Sequence, residues 1–201
     1  WEKFLAMPSP KRGDESWRFS TISELNFADY TLPATDVNCD AETLIQASAS
    51  NTTPSAKIIF ANGEVIHQQS NLPENVIFLS LEEALIKHSD LVEAYFMRRE
   101  SQLGSAKFSA LHAAQLRNGV FIHVPDHAEV AEPIEIHHWF HGENTTTFPH
   151  TLIVTGTNAK VRVIETFQSV NSKDNTLAIA VNDLITGKHS SLNYVAIQAM
   201  N

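Results

Sequence analysis

Beyond Gly119 helical periodicity disappears, and six short β-rich runs follow one another: Val120–Val124, Ile134–His138, Thr151–Thr155, Val161–Glu165, Leu177–Val181 and Leu192–Ile197. Every second run starts roughly 26 to 31 residues after the last, within the range of stacked structural repeats. In the first run Val120, Ile122 and Val124 alternate with Phe121 and His123, so one face can turn inward. Turns such as Thr155-Gly156-Thr157-Asn158 and Ile185-Thr186-Gly187-Lys188 separate the runs. Two architectures fit. A sandwich has turns at similar spacing. A solenoid stacks each coil on the last, so that the next coil satisfies each edge. The pattern leans toward the solenoid and leaves the sandwich open. Strict hexapeptide repeats are absent, which argues against a left-handed β-helix.

Residues 1–118 read differently. Prolines 8, 10 and 33 break the first stretch, where Thr21-Ile22-Ser23-Glu24 has capping-box spacing for a short helical turn. A short helix over 41–48 is expected before the polar loop that ends at Pro54. Ile58–Phe60 and Glu64–Ile66 flank Asn62-Gly63, a tight-turn pair, and predict a hairpin. Val76–Leu79 reads as a further strand. Ser80 and Glu83 then form a capping box in which each side chain satisfies an orphan amide of the other. Leu81, Ala84, Leu85, Leu91, Val92, Tyr95 and Phe96 fall on one helical stripe, with a restart at Ser89-Asp90. A second helix, about Ala106 to Leu116, stops at Asn118-Gly119.

Charge and cysteine narrow the function. With 23 acidic against 14 basic residues the net charge is −9, and nothing longer than Lys11-Arg12 concentrates positive charge. Such a chain repels phosphate backbones, so no nucleic-acid partner is expected. The single Cys39 rules out an intrachain disulfide and cannot alone ligate an iron–sulfur cluster, which commonly takes about four thiolates. A reducing, cytoplasmic setting fits. No run approaches the ~20 apolar residues of a membrane helix, and no membrane partner is expected. Trp1-Glu2-Lys3 does not resemble a signal peptide, and both ends look cut.

Several segments, in order, resemble the SufB/SufD family. Asn75 to Leu85 is similar to that family's VIVLSLEEAL segment, and Lys107 to Ala114 follows at the family's distance. Asn118 to Pro125 looks like the DGVFIxVP approach to its β-helix, and Glu132-Pro133-Ile134 like the step one strand later. Phe148–Val154, Ala159–Glu165 and Asn182–Gln198 resemble successive coils, the last ending in Tyr194-Val195-Ala196-Ile197-Gln198. Pro10 to Ser20 is similar to the opening of the SufD branch rather than the SufB branch. The likeness is weakest over 36–55.

This resemblance implies a mixed α/β N-terminal domain over 1–118, followed over 119–201 by the first coils of an all-β right-handed parallel β-helix. It also implies a non-catalytic scaffold role in iron–sulfur cluster assembly, in a complex with SufB-like and SufC-like subunits. The nascent cluster is then expected on the assembled complex, and no cofactor on this stretch of chain. The family's cluster-site residues and SufC-docking helices lie beyond Asn201, so no catalytic, cofactor or metal residue carries over. A solenoid cut at Asn201 is expected to dimerise or aggregate through that end, and the longer protein to self-associate or pair with SufB through its β-helix.

Read by themselves, the residues that could do chemistry are mostly histidines: His123, His127, His137, His138, His141 and His150. On a strand from Ile134, residues Glu135, His137, Trp139 and His141 share one face, and two imidazoles with a carboxylate could bind zinc, iron or nickel. The bland alternative is a solvated polar face. Asp126 and Glu129 could pass for an acid/base pair but sit where a turn points acids outward. Cys39 reads as incidental, and Trp17 as a packing anchor. The competing functions are a β-helix protein acting on or binding polysaccharide, disfavoured by a single arginine (Arg162) after residue 120, and a histidine-rich metal module.

Overall fold

The computed structural model describes residues 1–32, 40–99 and 104–200. Cys39 lies outside the described residues. A short helix α1 (Glu2–Ala6) is followed by single 3-10 turns at Glu15–Trp17, Ile22–Glu24 and Phe27–Asp29. Thr21 precedes the second of these but makes no side-chain cap. Trp17 meets Phe108 edge-on, with ring centres 5.5 Å apart, and so anchors the N-terminal stretch. Asp40 opens α2 (Ala41–Ala47) by accepting from the Glu42 amide at 3.2 Å.

Strands β1 (Ala56–Ala61) and β2 (Glu64–Ser70) form the hairpin expected from Asn62-Gly63. Both turn residues have positive φ, 49° and 91°, as a two-residue turn matching the strand twist requires. β3 (Ile77–Ser80) runs into α3 (Leu81–Lys87), where Ser80 Oγ accepts from the Glu83 amide at 3.2 Å. The capping box is only half made. The Glu83 carboxylate turns along the helix to Lys87, at 3.3 Å. At His88 the backbone leaves helical geometry (φ −143°) and α4 (Ser89–Tyr95) starts on a new axis. The single stripe is therefore interrupted: Leu81, Ala84 and Val92 are buried, while Leu85 is 49% exposed. α5 (Ala106–Gln115) completes the helical part.

Eight strands follow: β4 (Val120–Val124), β5 (Ile134–Phe140), β6 (Thr145–Thr147), β7 (His150–Thr155), β8 (Lys160–Ser169), β9 (Thr176–Ala178), β10 (Val181–Thr186) and β11 (Ser191–Ala199). The run read as 177–181 is two strands, and β6 was not foreseen. The pairings among these strands are parallel. β4, β7 and β10 make one ladder, β5, β8 and β11 a second, and β6 and β9 a third. The first two ladders reach back across residue 118. β3 pairs antiparallel with β4, and β1 lies parallel to β5 with β2 beyond it. The boundary expected at 118/119 is thus no break in the sheets.

The apolar pattern explains the layering. Ile122 and Ile153 join Ile58, Ile134, Ile136 and Val163 in the core between the ladders. Their strand neighbours Phe121 and Leu152 point the other way, onto Leu81, Ala84 and Val92 of α3 and α4. With both faces covered, β7 is buried at every position, the polar His150, Thr151 and Thr155 included.

The corners repeat with the ladders. His127, Asn158 and His189 each take a left-handed backbone, with φ of 63°, 56° and 56°. Thr157 N donates to Asp126 Oδ1 at 2.6 Å, and Lys160 Nζ reaches Glu129 at 3.1 Å, both across 31 residues. Asn175 Nδ2 donates to Asn144 Oδ1 across the same separation. Glycine lets these corners close. A Cβ on Gly156 would lie 2.5 Å from the Asp126 amide nitrogen, and one on Gly187 would lie 2.5 Å from the Gly156 carbonyl carbon. Backbone cannot give way as a side-chain tip can. Gly156→Ala is expected to destabilise the protein by about 2 kcal/mol, as overpacking does, read as a lower urea midpoint.

Candidate functional site

Alternation along β5, β8 and β11 sends one set of polar side chains into the space between ladders. His138 of β5, Glu165 of β8 and Tyr194 of β11 meet there with Thr151 of β7. Glu165 is fully buried and His138 nearly so. The Glu165 carboxylate accepts from His138 Nε2 at 2.7 Å, from Thr151 Oγ1 at 2.7 Å and from the Tyr194 hydroxyl. Asn182 Nδ2 in turn donates to the Tyr194 oxygen at 2.6 Å. Burial pushes the Glu165 carboxyl up, but His138, through its hydrogen bond and charge, followed by Tyr194 and Thr151, outweighs burial and holds it below the usual carboxylate range. Burial and the Glu165 charge push the Tyr194 phenol up, so it stays protonated. Register puts Phe60, His138 and Phe167 side by side, and the imidazole stacks between the two rings at 5.0 and 5.1 Å. Such a network holds its donors and its charge in place.

The opposite face of β5 carries Glu135, His137 and Trp139. It is not the solvated face that alternation alone suggests. All three are buried, because α2 and the segment after it cover them. Lys57 Nζ lies 3.0 Å from Glu135 and donates to the Ser48 carbonyl at 2.6 Å. Ser50 Oγ donates to Glu135 at 2.8 Å, and Trp139 Nε1 donates to Ser48 Oγ at 2.9 Å. His137 Nε2 faces Glu135 at 3.3 Å, leaving Nδ1 to accept from Thr166 Oγ1 at 2.9 Å. Burial, with the Lys57 charge, lowers the His137 imidazole against the pull of Glu135, so it is neutral. Replacing Lys57 with Met leaves Glu135 buried beside no cation. The expected loss is about 3–5 kcal/mol in urea unfolding, and it should shrink when Glu135 is replaced by Leu in the same chain.

The remaining candidates disperse. His141 Nδ1 turns to Asp174 at 3.2 Å, away from the partners of His137, and Asp174 also accepts from the Gly142 amide. His127 is a corner residue, hydrogen-bonded to Asn158 at 3.3 Å. His123 is half-buried and lowered by burial, then by the charge of His88. His150 pairs with His112, a residue that sequence reasoning passed over. Asp126 caps the turn at Thr157 while Glu129 pairs with Lys160 at the surface, so the two are not an acid/base pair. Among the described residues no group of three or more His, Cys, Asp or Glu is arranged to hold a metal ion, and no helix is long and apolar enough to cross a membrane.

Comparison with known families accounts for nearly the whole chain in two pieces. Residues 1–136 match the SufBD protein N-terminal region, and residues 138–201 match the SufBD core domain of the SUF system for FeS cluster assembly. The chain belongs to the SufBD family. Among curated relatives, the SufBD chain is 30% identical over 98% of its length to the iron–sulfur cluster assembly protein SufD of Bacillus subtilis, covering 46% of that protein. It is 26% identical over 98% of its length to a SufBD family protein of Staphylococcus saprophyticus, covering 44% of it. A Staphylococcus aureus family member is 27% identical over 97% of the SufBD chain, again with 44% of the relative covered. The SufBD chain thus spans less than half the length of these relatives.

Proposed function

We propose that this chain is part of a non-catalytic scaffold for iron–sulfur cluster assembly, working beside SufB-like and SufC-like subunits in a cytoplasmic complex. The nascent cluster is cargo of the assembled complex, not a group resident on this stretch of chain. The fold we propose is a right-handed parallel β-helix, and the three parallel ladders, taken as its walls, support it. The observation that carries the reading is what fills the space between those walls. Apolar side chains occupy most of it, and the buried acid Glu165 is fully engaged by His138, Thr151 and Tyr194. A wall consolidated in this way suits an assembly surface. Family membership, through SufD of Bacillus subtilis, supports the choice of pathway.

Co-purification of the full-length protein with its SufB and SufC homologues tests the reading. A stable complex that survives gel filtration is expected. Failure of either subunit to associate contradicts it.

A further inference from the structure

His112 on α5 and His150 on β7 are both fully buried, and their contacts can be counted proton by proton. His112 Nδ1 lies 2.8 Å from the Ile179 carbonyl, which can only accept, so that nitrogen carries a hydrogen. His112 Nε2 and His150 Nδ1 are 3.1 Å apart and need one hydrogen between them, since otherwise two lone pairs face each other. A neutral pair of imidazoles holds two protons, and both are then used. His150 Nε2 would be left bare, buried and without a hydrogen bond, 3.5 Å from the Asp183 carboxylate. A lone pair facing an anion in a dry site is repulsive. One more proton turns the same contact into an ion pair.

We infer that the His112–His150 pair binds one excess proton, carried on His150 Nε2 toward Asp183, and that this proton latches β10 and the end of α4 onto β7. Burial, then the His150 charge, hold the His112 imidazole down at about 4 against the pull of the Ile179 carbonyl. Of the four ring nitrogens, His150 Nε2 is the one that faces a carboxylate. Asp183 carries the latch outward, because the same Oδ2 accepts the Met97 amide at 2.6 Å, at the end of α4. Among the described residues the groups facing the pair are few in kind. Asp183 comes from β10, each ring faces the other from α5 and β7, and the Phe96 ring lies 4.6 Å from His150. Arg98 directs its Nε to the Glu93 carbonyl instead. The latch is present while the proton is bound and is lost as pH rises past its release, with repulsion of Asp183 loosening the Met97 amide.

Full-length protein labelled with ¹⁵N-histidine tests this by counting ring N–H groups against pH. At pH 7 three ring protons are expected on the pair, with only His112 Nε2 bare. As pH rises, one proton should leave His150 Nε2, and Met97 amide exchange should accelerate about tenfold in the same transition. Two ring protons at pH 6, or a proton loss that leaves Met97 protection unchanged, overturns the inference. Asp183→Asn should move the release to lower pH by about one unit or more, and no movement overturns the role of Asp183. The wild-type titration decides the proton count independently of whether that variant folds.

Discussion

Replacing Glu165 with Ala is expected to destabilise the protein by about 3–5 kcal/mol. The carboxylate is the common acceptor for three donors from three different strands, and it has no exposure to solvent. Its removal strands the His138 Nε2 donor and the Thr151 and Tyr194 hydroxyls in a space that solvent cannot readily enter. Each orphaned donor carries its own desolvation penalty. Glu165→Gln should be milder, because an amide oxygen still accepts from some of these donors while the charge is gone. Urea unfolding of the two variants beside wild type gives the numbers. A loss under about 1 kcal/mol for the alanine variant would mean that the network contributes little to holding β5, β7, β8 and β11 together.

The second large effect is a loss of stability on acidification. The unfolded chain protonates His112 near its ordinary value of 6.5, whereas the folded chain resists until about 4. The unfolded state therefore binds the proton first, so the contribution is complete above 6.5 and disappears as pH falls toward 4. At 1.36 kcal/mol per unit, His112 alone removes about 3 kcal/mol between pH 7 and 4. His137 and His123, also lowered chiefly by burial, act in the same direction. Glu135 and Glu165, held below the usual carboxylate range, add their loss below about pH 4.3. Urea midpoints at pH 7, 5.5 and 4 should fall monotonically. A flat profile would contradict burial of neutral His112.

The sequence carried the hairpin at Asn62-Gly63, the cap at Ser80 and the limits of Val120–Val124 because each depends on neighbours a few residues away. The 31-residue spacing was present too, in the corner residues Val124-Pro125-Asp126-His127, Thr155-Gly156-Thr157-Asn158 and Thr186-Gly187-Lys188-His189. It is visible once the left-handed third corner residue after each strand is aligned, although the residue types there differ. The fate of the histidines was not legible. Alternation along β5 correctly separates His137 from His138, but it cannot say that α2 covers the first or that Glu165, 27 residues on, meets the second. His112 drew no attention because a lone histidine in an apolar helix looks like any other, and its partner His150 is 38 residues away. The doubling of the 177–181 run into β9 and β10 was hidden by Ile179 and Ala180, which keep the segment apolar through the corner.

The in-register parallel stacking underlies both the buried network and the proposed assembly surface, and nuclear Overhauser contacts between backbone protons read it directly. Contacts should link Ile134 to Val163 and Val163 to Tyr194 along one ladder, and Phe121 to Leu152 and Leu152 to Asp183 along another. Contacts that instead pair the strands after Gly119 antiparallel, as two facing sheets, would contradict the account.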